Sequence, residues 1–127
     1  MGIKSKSDKI FEYNVERNEV YQVFQIDQTH SDFAHSVYQS NHIILSGGTD
    51  HAVYGKNIVV LFSVQIDPLS LKLSLARNYL PILNVRRAKH SSFILRDHYF
   101  VIFGQKDINS FAEFAETLDL RPLFING

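Results

Sequence analysis

His35-Ser36-Val37-Tyr38-Gln39-Ser40-Asn41-His42-Ile43-Ile44-Leu45-Ser46-Gly47-Gly48 is the stretch on which the reading of this chain turns. Two short apolar runs, Phe33 to Tyr38 and His42 to Leu45, flank the polar Gln39-Ser40-Asn41, and a glycine pair closes the second. Such runs, broken by turn residues, predict two strands of a hairpin that stops where positive φ costs least. The pattern returns downstream. His90-Ser91 opens the pair His90 to Leu95 and His98 to Phe103, joined across Arg96-Asp97 and closed by Gly104-Gln105, the two histidines being offset by 55 positions.

The flanking sequence also reads as strand. Lys9 to Val15 and Val20 to Ile26 predict a further hairpin across Glu16-Arg17-Asn18. A polar loop, Thr49 to Asn57, leads into a strand over Ile58 to Ile66, and Asp67-Pro68 turns the chain, because proline fixes φ and donates no hydrogen bond. Leu69, Leu71, Leu73 and Leu75 alternate, which predicts a strand over Leu69 to Leu80, although Leu and Ala also suit a helix. After Pro81 an irregular segment reaches Arg86-Arg87. The segment Ile108 to Thr117 predicts a short helix around Phe111, Ala112, Phe114 and Ala115, and Glu116 to Leu120 a last strand.

Three further marks recur: Tyr13-Asn14, Ile66-Asp67 and Leu118-Asp119 each close an apolar run at a turn, 53 and 52 residues apart. Marks repeating in one order at one period imply a supersecondary unit used more than once. In these features the chain resembles the kelch-repeat family, whose units are four-stranded antiparallel blades of a β-propeller. The resemblance implies an all-β fold of about two kelch-like blades plus flanking strands, not a closed ring at 127 residues. Residues 1–127 then form one kelch-like region. Residues 1–8 are a disordered lead, 9–32 the last two strands of one blade, 33–80 a whole blade, and 81–127 the first strands of another. His35, Ser36, Gly47, Gly48, Asp67, His90, Ser91, Gly104 and Asp119 are its repeat-defining residues. Arg86 and Arg87 stand where the resemblance implies inter-blade polar contacts. The chain departs from the family in having no Trp; Val20 and Leu73 occupy that position, and Gly104 is followed by Gln105.

Composition excludes several kinds of function. With 13 acidic and 13 basic side chains the formal net charge is zero, so little counterion-release affinity for nucleic acid is expected. There is no cysteine, hence no disulfide and no thiol nucleophile. The polar start, Met1 to Lys9, lacks the apolar run of a signal peptide, and a cytoplasmic location with no membrane contact is expected. Six histidines, at 30, 35, 42, 51, 90 and 98, include no His-x-His or His-Glu-x-x-His pattern, so no metal or other cofactor is expected. Gly48, Gly55 and Lys56 fail the spacing of a phosphate-binding loop, and Asn57 stands where that loop carries Ser or Thr.

No catalytic pair emerges, and the expectation is a non-catalytic protein–protein interaction scaffold. The loop Thr49 to Asn57 and the segment Gln105 to Ala112 are expected to be equivalent inter-strand loops on one face. His51, Tyr54, Lys56, Asp107 and Phe111 would be the partner contacts, since aromatic and charged loop residues often dominate binding. The alternative is a remnant of a propeller enzyme of the galactose-oxidase-like kind. Exposed blade edges would invite self-association or capping by another chain.

Overall fold

A computed structural model describes residues 7–30, 32–49, 55–107, 110–111 and 115–124, excepting the side chains of 7–9, 22–30, 105–107 and 110–111. Every regular element in it is a strand apart from one 3-10 turn, Arg121–Phe124. Three antiparallel sheets are present and none closes on itself. Sheet I is the hairpin of β1 (Ser7–Asn14) and β2 (Glu19–His30). Sheet II runs β3 (Ala34–Tyr38), β4 (His42–Ser46), β5 (Val59–Ile66) and β6 (Leu73–Tyr79) in chain order. Sheet III has the order β10-β8-β7, from β7 (His90–Leu95), β8 (Tyr99–Asp107) and β10 (Glu116–Asp119), with β9 (Ser110–Phe111) paired to the end of β8.

Tight turns and Asn or Asp side-chain caps set these registers. Gln39 and Ser40, and again Arg96 and Asp97, all have φ between 51° and 62°, the left-handed pair that suits a two-residue hairpin. Asn14 and Asp119 end their strands, Asp67 directly follows β5, and each caps the turn after it. Asn14 Oδ1 accepts from the Arg17 amide at 3.0 Å, Asp67 from the Leu69 and Ser70 amides at 2.8 and 3.1 Å, and Asp119 from the Arg121 amide at 3.0 Å. Those amides hold the Asp67 carboxyl below its usual range. The Arg121 side chain does so more strongly for Asp119, which drops to about 2.

The three sheets stack face to face. Ile10 of sheet I joins Leu45, Phe62 and Leu75 of sheet II in one buried cluster. Tyr38, Ile44, Val59 and Leu61 of sheet II join Phe100 and Ile102 of sheet III, with Leu80, Leu83 and Leu120 from the connections, in the other. The alternation of β3 follows from this, since Ala34, Ser36 and Tyr38 are buried and His35 and Val37 are not. The first strands of sheets II and III, β3 and β7, lie against each other, and β2 lies against β6.

Several expectations change. Strand β1 begins at Ser7, inside the expected disordered lead, because Ser7 pairs with His30 of the long β2. The leucine alternation over 69–80 is only half strand: Leu69 and Leu71 are exposed residues of the Asp67 turn, Leu71 has φ +60°, and β6 starts at Leu73. The expected helix over 108–117 is absent among the described residues: Ser110 and Phe111 and then Glu116 and Thr117 are strand, with Phe111 paired back to Gln105 and the latter two with β8, and Ala115 is irregular; 108–109 and 112–114 lie outside the described residues. The segment from Gln105 is correspondingly strand-paired as far as Asp107, not an open loop. Aligned on their hairpin turns, at 39–40 and 96–97, sheets II and III are offset by 57 positions, not 55. His90 therefore stands opposite Gly104, whereas His35 stands opposite Leu45, and the two histidines are not register equivalents.

Candidate functional site

The densest buried polar cluster lies in the seam between sheets II and III. Arg87 arrives on the strand-like connection before β7, held by a backbone bridge to Lys56: its amide donates to the Lys56 carbonyl at 2.9 Å. Its own carbonyl accepts from the Gly48 amide at 2.8 Å, which ties the end of β4 to the start of sheet III. The Arg87 side chain is 0% exposed, and its Nε donates to Glu116 Oε2 at 3.0 Å, while the guanidinium also reaches the Gly104 carbonyl at 3.4 Å. The other Glu116 oxygen accepts from the Asn84 amide. Both oxygens of a carboxylate on β10 are thus satisfied from the one connection between β6 and β7, which is what a buried charge requires.

His90 completes the seam. Its Nε2 lies 2.9 Å from Ser46 Oγ, and both residues are buried. Burial, and secondarily the Arg87 charge, lower its pKa from the usual 6.5 to about 4, against a smaller opposite effect of Glu116. The neutral ring is therefore the folded form, and the pH dependence follows. Above pH 6.5 neither state is protonated; between 6.5 and about 4 the unfolded chain takes up a proton that the folded one refuses; below 4 both carry it. Stability is expected to fall by about 2 kcal/mol across that window, discounted for solvent screening. Urea unfolding at a series of pH values checks this, and His90→Gln should flatten that part of the curve.

Nearer the sheet edge, Ser36 Oγ and Ser92 Oγ are 2.6 Å apart, and Ser92 Oγ also donates to the His35 carbonyl at 3.1 Å. Beside the seam, a cavity of about 420 Å³ is lined by Val59, Pro81, Ile82, Leu83, Phe100 and Glu116 among others.

The structure treats the expected residues unevenly. Ser36, Gly47, Gly48, Gly104 and His90 meet in or beside the seam, where Arg87 bonds Gly48 and Lys56 through its backbone and Glu116 and Gly104 through its side chain. His35 contributes its carbonyl only, and Ser91 is exposed. Of the expected contact residues, His51 and Tyr54 lie outside the described residues, Lys56 is engaged through its backbone with Arg87, and Asp107 and Phe111 are described as strand backbone alone. Sequence reasoning passed over Glu116, Ser46 and Ser92. The only available signal for Glu116 was its place in an otherwise strand-like run, where one face must be covered. Among the described residues, no group of three or more His, Asp or Glu side chains is placed to hold a metal ion, and no helix is long and apolar enough to cross a membrane.

No protein-family model and no curated protein matches the chain.

Proposed function

We propose that the protein is a non-catalytic, cytoplasmic protein–protein interaction scaffold whose sheets are kelch-type blades. The observation that carries this reading is the use made of its buried polar groups. Arg87 pairs with Glu116, which also accepts from the Asn84 amide, and His90 Nε2 pairs with Ser46 across the seam, so apart from His90 Nδ1, which has no partner among the described residues, their chemistry goes into fastening one sheet to the next. Support for the blade assignment comes from the four-stranded sheet II in chain order, the first strands β3 and β7 lying together, and the turn-capping Asn14, Asp67 and Asp119 at a near-constant period. A stiff stack of this kind presents its loops as a fixed surface, and binding residues sit disproportionately on loops held by rigid scaffolds.

The contact face would be formed by the β4–β5 loop and the β8–β9 turn, with His51, Tyr54, Lys56, Asp107 and Phe111 as its contacts. Affinity capture with the wild-type chain and with Tyr54→Ala and Phe111→Ala tests it. Recovery of the specifically bound protein is expected to fall at least tenfold with either variant, the cost of one aromatic anchor at about 1.4 kcal/mol per tenfold. Equal recovery by all three would remove this face from consideration.

A further inference from the structure

Sheet III carries an apolar face that nothing among the described residues covers, and its register says what kind of surface belongs there. Cross-strand partners share a face, so Ser36, Tyr38, Ile44 and Ser46 of sheet II look one way, and all four are buried against sheet III. Moved 57 positions along the chain, the same places in sheet III are Phe93, Leu95, Val101 and Phe103. Phe93 and Phe103 are 41% and 45% exposed and pack edge to face, with ring centres 5.8 Å apart; Leu95 is equally open, and of the four only Val101 is buried. Two serines that bond across a covered seam are thus replaced by two phenylalanines in an uncovered one. Exposed aromatic clusters of this kind mark interaction surfaces.

The other end of the stack is uncovered in the complementary sense. The hairpin of sheet I turns Ile10 into sheet II, while Tyr13 and Val20, directly paired across the hairpin, are 48% and 61% exposed. Sheet I on sheet II and sheet II on sheet III are two successive packings in the same direction, and sheet III followed by another sheet I would continue the series.

We propose that a second copy of this chain packs its β1–β2 hairpin, through Tyr13 and Val20, onto the Phe93, Leu95 and Phe103 face of sheet III. The inference rests on the stacked-sheet part of the proposed function and names a copy of the chain as the partner for a surface separate from the loops. Because the two patches differ, the contact is head-to-tail, and the rotation between copies decides whether it closes into a ring or extends.

Sedimentation analysis of the purified chain tests this with Phe93→Lys and Val20→Glu, both at exposed positions where the fold should survive; melting curves verify that. The wild type is expected to sediment as a dimer or larger species, and each variant alone as a monomer. An equimolar mixture of the two variants should form dimers, since it restores one intact hairpin opposite one intact sheet face. A monomeric wild type would overturn the proposal. So would dissociation by Phe93→Lys with no effect of Val20→Glu, which would mean that two sheet III faces meet. Loss of loop-dependent capture by Tyr54→Ala with an unchanged assembly size leaves this result standing, so the two ideas fail separately.

Discussion

Gly47→Ala is expected to cost the fold about 2–5 kcal/mol, enough to unfold much of a marginally stable chain. Two independent effects combine at this position. Gly47 has φ +62°, where an L side chain meets its own carbonyl and pays about 1–2 kcal/mol. A Cβ there would also lie 2.4 Å from the Arg87 carbonyl oxygen and 2.5 Å from His90 Cε1. The first of these is backbone, so relief requires the two sheets to separate, and overpacking of this kind adds about 1–3 kcal/mol. Gly104→Ala supplies the comparison. Its φ of +109° is also unfavourable to a side chain, but the nearest atoms to an added Cβ are 3.7 and 3.8 Å away, an ordinary contact. Urea midpoints should therefore fall well short of wild type for Gly47→Ala and only part of that distance for Gly104→Ala. Equal shifts would mean that backbone conformation alone accounts for both and that sheets II and III are not held as closely as the seam requires.

The glycine comparison shows which features were legible in the chain and why others were not. Strand identity was legible, because the Val-, Ile- and Phe-rich runs have the right length and are separated by residues whose side chains cap turns. Asn14, Asp67 and Asp119 do so in the structure. Leu69 and Leu71 misled, because alternation records only side-chain identity. Asp67 takes the amides of Leu69 and Ser70 into its own turn and leaves both leucines in solvent. His35 and His90 looked equivalent for a related reason: a shared dipeptide is weaker evidence of register than the two left-handed turn residues that follow it. Of the seam, the glycines and Arg87 could be located in advance. Glu116 could not, since a carboxylate reads as surface until its partner is known, and that partner lies 29 residues away, on the connection between β6 and β7.

Arg87→Met carries the other large expected effect, a loss of about 3 kcal/mol, the low end of what breaking a buried ion pair costs. The low end applies because the Glu116 side chain retains 10% exposure and the Asn84 amide. Methionine keeps the apolar stem of arginine but leaves the Glu116 carboxylate without its guanidinium and the Gly104 carbonyl without that donor. Most of the penalty is thus the stranded charge, not the net strength of the pair, and a double-mutant cycle separates the two. Glu116→Leu removes the charge, so Arg87→Met combined with Glu116→Leu should be more stable than Arg87→Met alone by about 1–2 kcal/mol, within the range of coupling between touching residues. Additive losses would show that the Arg87 side chain contributes independently of Glu116, through its burial and its bond to the Gly104 carbonyl, while no loss at all would leave only the backbone bridge to Lys56 and Gly48, which the methionine keeps. The double variant also bears on His90. With both charges gone, burial alone holds its pKa down, so the acid-induced loss of stability should persist. A loss that disappeared with Arg87 would instead assign the sensitivity to repulsion between the two cations, and the seam would owe its neutral histidine to its arginine.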